Sequence, residues 1–330
     1  MAKKNRKYFI GMDLGGTKLL TAVLDKTFSV KGMSKCKCEP NLGEKVFFRT
    51  LVENVEFALD EAKISLKQVA AIGMGCPGII KDGAVKLSPN ISFLKNYPLR
   101  ERLRRQFKVP AVVENDANAG LYGEQQFGAA KGYSHVCGIF MGTGVGGAFI
   151  LDGKLYRGAT GAAGEIGHTF VTPPAFHDPQ QFPGTLEAMT GRLAISSQAA
   201  QLVMRQLAPH LYQEVGYDVR KIKSKPLLKA IQDGDAAVKD LMISKARLVG
   251  LSMANIVNLL SPELFVLGGG MVEALEAWII PEARDTMKRY AMGPLVQAVK
   301  VAPAKLGDYA IVKGAAKLAS DALSAKGSRA

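Results

Sequence analysis

The sequence predicts an α/β protein of two domains, and three observations carry that prediction. The chain has 330 residues and 48% hydrophobic content, enough to bury a large core and more comfortable as two domains than as one. Strand-like and helix-like segments alternate through its first half. From about Leu186 onward the periodicity turns mostly helical, before one last buried strand in "ELFVLGGG".

Taken in order, "YFIGMDLGGTKLLTAVLD" almost fits a phosphate-binding loop, with Gly11, Gly16 and Lys18 near the required letters. Thr17 stands where the lysine is needed, and an alternating β-prone run follows in place of a helix, so the segment reads as a β-hairpin. Next, "EKVFFRTLVENVEFALDEAK" places Val46, Leu51, Val55 and Leu59 at helical spacing, and "VAAIGMGC" reads as a strand. "GMGCPG" (73–78) and "GTGVGG" (142–147) match a dinucleotide fingerprint by letter. Each runs into a hairpin, with turns at Asp82-Gly83 and Asp152-Gly153, and lacks the helix whose N-terminus would carry a pyrophosphate. "PLRERLRRQF" predicts a helix with Arg100, Arg104 and Arg105 on a solvated face, and "VPAVVEND" a strand ending in acids. "EAMTGRLAISSQAAQLVMRQLA" and "DAAVKDLMISKARLVGLSMANIVNLLS" predict long helices, "KGAAKLASDAL" a closing one, and "SAKGSRA" a disordered tail. The first and third glycine hairpins share one pattern of apolar strand, glycine turn, apolar strand and acid, a weak internal repeat. Main-chain N–H groups at such turns form anion-binding concavities.

Composition bounds the function. The 43 Lys+Arg against 29 Asp+Glu give a net charge of +14, which suits nucleic acid, an acidic membrane face or phosphorylated ligands. The basic residues are scattered, so no nucleic-acid partner is expected. Apolar runs such as "IVNLLSPELFVLGGGMV" are cut by Asn258, Ser261, Pro262 and Glu263, short of the roughly 20 residues of a membrane helix. After the basic start, Asp13 and two glycines end the apolar run at once, so secretion is not expected and a cytoplasmic location is. Cys36, Cys38, Cys76 and Cys137 read as buried reduced thiols.

Several of these segments together resemble the ROK family of sugar kinases, within the actin/hexokinase/Hsp70-like superfamily. "MDLGGTK" is similar to its first phosphate motif, "GCPGI" and "SPN" to its sugar-side loops, and "ENDANAGLYGE" to its catalytic segment. "MGTGVGGAFILDGKLYRGATGAAGEIGH" is similar to its second phosphate motif and "NIVNLLSPELFVLGGG" to its adenosine motif. The resemblance covers nearly the whole chain. It implies a two-domain actin-like ATPase (ribonuclease H-like) fold with a cleft between the domains. The expected division is 1–115 plus 305–330 as a small α/β domain and 116–304 as a large α/β domain with a helical C-terminal part.

The resemblance also implies roles. Asp116 falls on the catalytic base, whose bland alternative is an N-cap or Asx turn for the helix it precedes. Asp13 falls on the acid that orients Mg²⁺, through water, because Mg²⁺ keeps its waters. Gly15, Gly16, Thr17, Lys18, Gly142, Thr143 and Gly144 would face the phosphates of ATP, and Gly268, Gly269 and Gly270 the adenosine. Asn90, Asn115, Asp116, Glu165, His168 and Glu187 would ring a hexose, since carboxylates accept, amides do both, and a neutral imidazole does either.

One departure stands out. The family's usual cysteine-rich zinc module is replaced here by "PPAFHDPQQFPGTLE", and no cysteine follows Cys137. Zinc is therefore not expected, although a His168, His177, Asp178 site is conceivable. Pro173, Pro174, Pro179 and Pro183 would stiffen the loop instead. The implied activity is ATP-dependent phosphorylation of the 6-hydroxyl of a hexose, glucose first, with mannose, fructose or an N-acetylhexosamine as alternatives. A homodimer or homotetramer is expected. The rival readings are a sugar-responsive repressor, for which seven residues before Tyr8 leave no room for a helix-turn-helix module, and a non-catalytic sugar sensor.

Overall fold

A computed structural model describes residues 6–39, 42–89, 91–173 and 184–327. The chain forms two compact units, one of residues 1–132, 155–163 and 305–330, the other of 133–154 and 164–304.

The first unit opens with an antiparallel meander, β1 (Tyr8–Leu14), β2 (Lys18–Leu24) and β3 (Val30–Lys37). Helix α1 (Glu44–Ala62) follows, then β4 (Val69–Cys76), the small hairpin β5 (Ile79–Lys81) and β6 (Ala84–Leu87), helix α2 (Leu99–Phe107), β7 (Ala111–Asn115) and helix α3 (Asp116–Phe127). The sheet order is β3-β2-β1-β4-β7, with β4 parallel to both β1 and β7. The apolar face of α1 runs through Phe47, Leu51, Val55 and Leu59. Phe47 takes the place expected of Val46, because four-residue steps back from Val55 reach 51 and 47.

The second unit repeats this plan. Strands β8 (Val136–Met141), β9 (Val145–Leu151) and β10 (Lys154–Leu155) form its meander; β11 (Leu264–Gly268) and β12 (Lys300–Pro303) extend it in parallel, in the order β10-β9-β8-β11-β12. The helices are α4 (Leu186–Thr190), α5 (Arg192–Met204), α6 (Pro209–Val215), α7 (Ser224–Gln232), α8 (Ala236–Leu260), α9 (Gly270–Tyr290) and α10 (Gly293–Val296). Both sheets thus begin with a glycine-turned hairpin, which accounts for the internal repeat. Helix α11 (Tyr309–Gly327) closes the first unit. It extends through Ser324–Gly327, where a disordered tail was expected: an alanine-rich helix already nucleated on a sheet gains a bond per added residue. Residues 328–330 lie outside the described residues.

Helix α11 explains two glycines that mimic nucleotide motifs. A Cβ on Gly11 would lie 1.9 Å from the Val312 carbonyl oxygen, and one on Gly73 1.8 Å from that of Ala315. These residues are glycine so that a helix backbone can rest directly on β1 and β4. Helix α3, which begins at Asp116, lies against the same helix and belongs to the first unit. No helix among the described residues is long and apolar enough to cross a membrane. Cys38, Cys76 and Cys137 are buried, Cys36 is half-buried, and all four are free thiols.

Candidate active site

In the first unit, Asp13 sits near the end of β1, the turn Gly15-Gly16-Thr17 follows, and Lys18 begins β2. The turn is closed by the Gly15 N–H donating to the Lys18 carbonyl at 2.8 Å and buttressed by the Cys38 N–H donating to the Thr17 carbonyl at 2.9 Å. These residues line a cavity of about 280 Å³ together with Leu20, Lys35 and Asp308. The register makes this inevitable: Asp13 pairs with Leu20 across β1–β2 and Leu20 with Lys35 across β2–β3, so the three side chains share one face of the sheet. Lys35 Nζ contacts Asp308 Oδ2 at 2.7 Å. Lys35 and Asp308 were not singled out by the sequence reading, because β3 has no strong alternation and the two partners are 273 positions apart.

Asp116 is the first residue of α3, but it is not the cap. Asn115 is: its Oδ1 accepts the Asn118 N–H at 3.0 Å, while its Nδ2 donates to the Gly78 carbonyl at 3.1 Å. The capping alternative for Asp116 is thereby filled by its neighbour. Burial pushes the Asp116 carboxyl above the usual range, against hydrogen bonds from main-chain N–H groups and the Asn115 side chain. Burial first, and then the charges of Asp116 and Asp308, push Asp13 up to about 7, with Lys35 pulling the other way. Beneath them, Glu114 is buried; its Oε1 accepts from the Asn115 N–H and from Asn118 Nδ2, both at 3.0 Å, and its Oε2 meets Arg157 Nε at 2.6 Å. Nη2 of Arg157 reaches the same oxygen at 2.6 Å, and this pairing of Arg157 with Glu114 fixes the junction of β7 and α3; it was also missed from the sequence.

In the second unit, Gly142, Thr143 and Gly144 form the turn between β8 and β9, closed by the Gly142 N–H donating to the Gly144 carbonyl at 2.9 Å. Glu187, on α4, reaches this turn: its Oε2 accepts the Val145 N–H at 2.8 Å. A Cβ on Gly144 would lie 2.1 Å from that oxygen. Glu187 is held without a cysteine module. The Thr185 hydroxyl caps α4 by accepting the Ala188 N–H, and main-chain bonds from Val171 to Gly184 and from Leu186 to Thr169, both 2.8 Å, tie the two ends of the loop together. Arg192 Nη2 donates to Thr143 Oγ1 at 3.2 Å, placing on this turn a guanidinium that was not singled out from the sequence. Glu165 and His168 flank one 3₁₀ turn, joined by the His168 N–H donating to the Glu165 carbonyl at 3.1 Å, and both side chains are exposed. Gly268 ends β11 and Gly270 begins α9. A Cβ on Gly269, whose φ is +86°, would lie 2.5 Å from the Met141 carbonyl oxygen, so the Gly268–Gly270 turn abuts the start of the Gly142–Gly144 turn.

The first unit therefore gathers Asp13, Gly15, Gly16, Thr17, Lys18, Asn115 and Asp116, and the second gathers Gly142, Thr143, Gly144, Glu165, His168, Glu187, Gly268, Gly269 and Gly270. Asn90, together with Pro174, His177, Asp178, Pro179 and Pro183, lies outside the described residues. Among the described residues no group of three or more His, Cys, Asp or Glu is arranged to hold a metal by protein ligands alone. The oxygen-only character of Asp13, with its ionised form destabilised by burial and by two further carboxylates, fits a hard dication that retains most of its water.

A family model described as "ROK family" matches residues 9–322. The glucokinase of Streptomyces coelicolor is 31% identical over 317 residues, covering 94% of this chain and 97% of that protein. The xylose repressor of Caldicellulosiruptor bescii is 30% identical over 282 residues, covering 84% of this chain and 69% of that protein. Among solved structures, a ROK family glucokinase from Streptomyces griseus in complex with glucose and AMPPNP superposes with a TM-score of 0.83 at 30% identity, over 95% of this chain and 99% of that one.

Proposed function

This chain belongs to the ROK family, and from that premise we propose that it transfers the γ-phosphate of ATP to the 6-hydroxyl of a hexose, glucose first. ATP-dependent phosphorylation of a sugar hydroxyl is the activity that the family match and the kinase relatives support as a class. The observation that carries the mechanistic reading is Asp116: a carboxylate at the head of α3, relieved of capping by Asn115 and raised by burial. Such a group needs little intrinsic basicity. In a loose phosphoryl-transfer transition state the hydroxyl proton is lost late, so a well-placed acceptor suffices.

The remaining residues bind and orient. The N–H groups of the Gly15 to Thr17 turn, with Lys18, face the phosphates in this reading, as do Gly142, Thr143 and Gly144. The open tip supports it: a Cβ on Gly16 would meet nothing within 4 Å, so no packing demand of the protein keeps that residue glycine. Lys35, held by Asp308, adds a second cation to the same pocket. Asp13 would hold Mg²⁺ through water, and the ion would neutralise charge developing on the transferred phosphoryl group. Asn90, Asn115, Glu165, His168 and Glu187 are the proposed sugar contacts. Since Val145 engages Oε2 of Glu187, the other oxygen is the one left for a sugar hydroxyl. Gly268, Gly269 and Gly270 let backbone approach the adenosine.

The test is ADP release with ATP and Mg²⁺ over a panel of glucose, mannose, fructose and N-acetylglucosamine, run with and without a zinc-selective chelator. Glucose is expected to give the highest kcat/KM, the chelator no change, and Asp116→Asn near-complete loss on every sugar. Undiminished turnover by Asp116→Asn refutes the assignment.

A further inference from the structure

We propose that the first unit carries a second small-molecule site, distinct from the turn around Asp13, that binds a phosphorylated metabolite of about the size of a sugar phosphate or nucleoside monophosphate. A cavity of about 640 Å³ lies against α2, the start of β7 and the end of α11, within the range of roughly 300–1,000 Å³ typical of such sites. Its lining includes Arg100, Arg104, Arg105 and Lys108, with Glu101 the one carboxylate among the residues that line it. The sequence places Arg100, Arg104 and Lys108 four residues apart, one stripe of the helix and its C-cap, while Leu99, Leu103 and Phe107 bury the other. What reads in one dimension as a solvated face is in the fold the edge of a hollow.

The charge is not cancelled. Glu101 meets Arg104 at 2.9 Å and Arg100 at 3.6 Å, and among the described residues Arg105 and Lys108 form no ion pair. Three positive charges remain. Stabilisation of the helix end by basic residues accounts for Arg104 and Arg105 in the last turn, but not for Arg100 in the first, where the helix dipole disfavours a cation. Arg100 is nonetheless packed in place: its side chain lies directly on Gly83, where a Cβ would come within 2.6 Å of it, and its main-chain N–H donates to the Gly83 carbonyl at 3.0 Å. Guanidinium forks match phosphate oxygens in pairs. The lining also includes the apolar side chains of Ala71, Val113 and Leu323, which suit the face of a sugar ring or base. The site lies at the N-terminal ends of β4 and β7, whereas Asp116 follows the C-terminal end of β7. Its occupant is thus removed from Asp116 by the length of one strand, and its existence does not depend on the kinase reading.

Isothermal titration of the full chain with glucose 6-phosphate and with AMP, at matched ionic strength, tests this. The two probes distinguish a sugar from a nucleotide body. Saturable binding of at least one is expected, weakened by roughly tenfold or more in Arg105→Glu/Lys108→Glu, while Lys18→Ala keeps the affinity and the double variant keeps a cooperative thermal transition and basal turnover. Both replaced side chains are exposed, so the core is untouched, and a small drop in melting temperature is expected from the reversed charge at the C-terminal end of α2. No saturable binding of either probe, or an affinity lost in Lys18→Ala but retained in Arg105→Glu/Lys108→Glu, overturns the proposal.

Discussion

Glu187 Oε2 accepts the main-chain N–H of Val145 at 2.8 Å, which locks a carboxylate of α4 onto the residue that leaves the Gly142–Gly144 turn. The contact leaves no volume for a side chain at Gly144, whose Cβ would sit 2.1 Å from that oxygen. Gly144→Ala is therefore expected to destabilise by about 1–3 kcal/mol and to raise the KM for ATP. Adding Glu187→Ala should return much of the stability while leaving catalysis impaired. Thermal unfolding of the four members of this cycle, with steady-state kinetics, checks both halves; additive losses would mean that the two residues do not interact.

Asp116 and Asn115 should separate chemistry from folding. Asp116→Asn is expected to lower kcat by about 10²–10⁴ with little change in melting temperature, since the cap is its neighbour's side chain. Asn115→Ala removes that cap and should cost about 1 kcal/mol. Equal stability losses in the two variants would contradict the division of labour.

The pH dependence of stability should carry the mark of Asp13. Its carboxyl stands at about 7 in the folded chain against ~3.9 unfolded, so the folded state binds the extra proton between those values. Stability in metal-free buffer therefore falls as pH rises from about 4 to 7 and then levels. Asp13→Asn removes the penalty, giving a flatter profile and a gain on the order of 1–4 kcal/mol above pH 7 that vanishes toward pH 4. Urea melts at a series of pH values measure it; parallel profiles for the two proteins would refute it.

Lys245 is buried on α8, and burial holds its ammonium below the ordinary lysine range. The charged form is destabilised in the folded state throughout the neutral range. Lys245→Met keeps the length of the stem and should raise stability by roughly 1–2 kcal/mol at pH 7. The gain should shrink as pH approaches the ordinary lysine value, where the unfolded chain also loses its proton. A loss of stability at neutral pH would show that the amine has a structural partner.

Much of this protein was readable along the chain. Apolar runs gave most of the strands but not β3, helical spacing gave α1, α2 and α8, and the stretch read as one long helix from Glu187 is broken by the extended Gly191 into α4 and α5. Glycine turns without following helices identified hairpins where letter motifs suggest nucleotide loops. Asp13 and Asp116 were visible as acids close to where a strand gives way, to a glycine turn after β1 and to helix α3 after β7. Their roles, by contrast, came only from the resemblance, since an acid at a strand end is by itself as good a turn residue as a base.

Chain order by itself determined the local elements, the two hairpins that head equivalent sheets, and the carboxylates at the strand tips. Only the tertiary structure decided that Gly11 and Gly73 serve α11 and not a nucleotide, that Lys35 meets Asp308, that Glu187 is fastened to Val145, and that an arginine stripe borders a hollow. The reason is the range of the information. Periodicity reports which face of an element is buried, over some ten residues, whereas a contact between Lys35 and Asp308 spans 273 positions and exists only once β3 and the start of α11 have been brought to one side of a sheet.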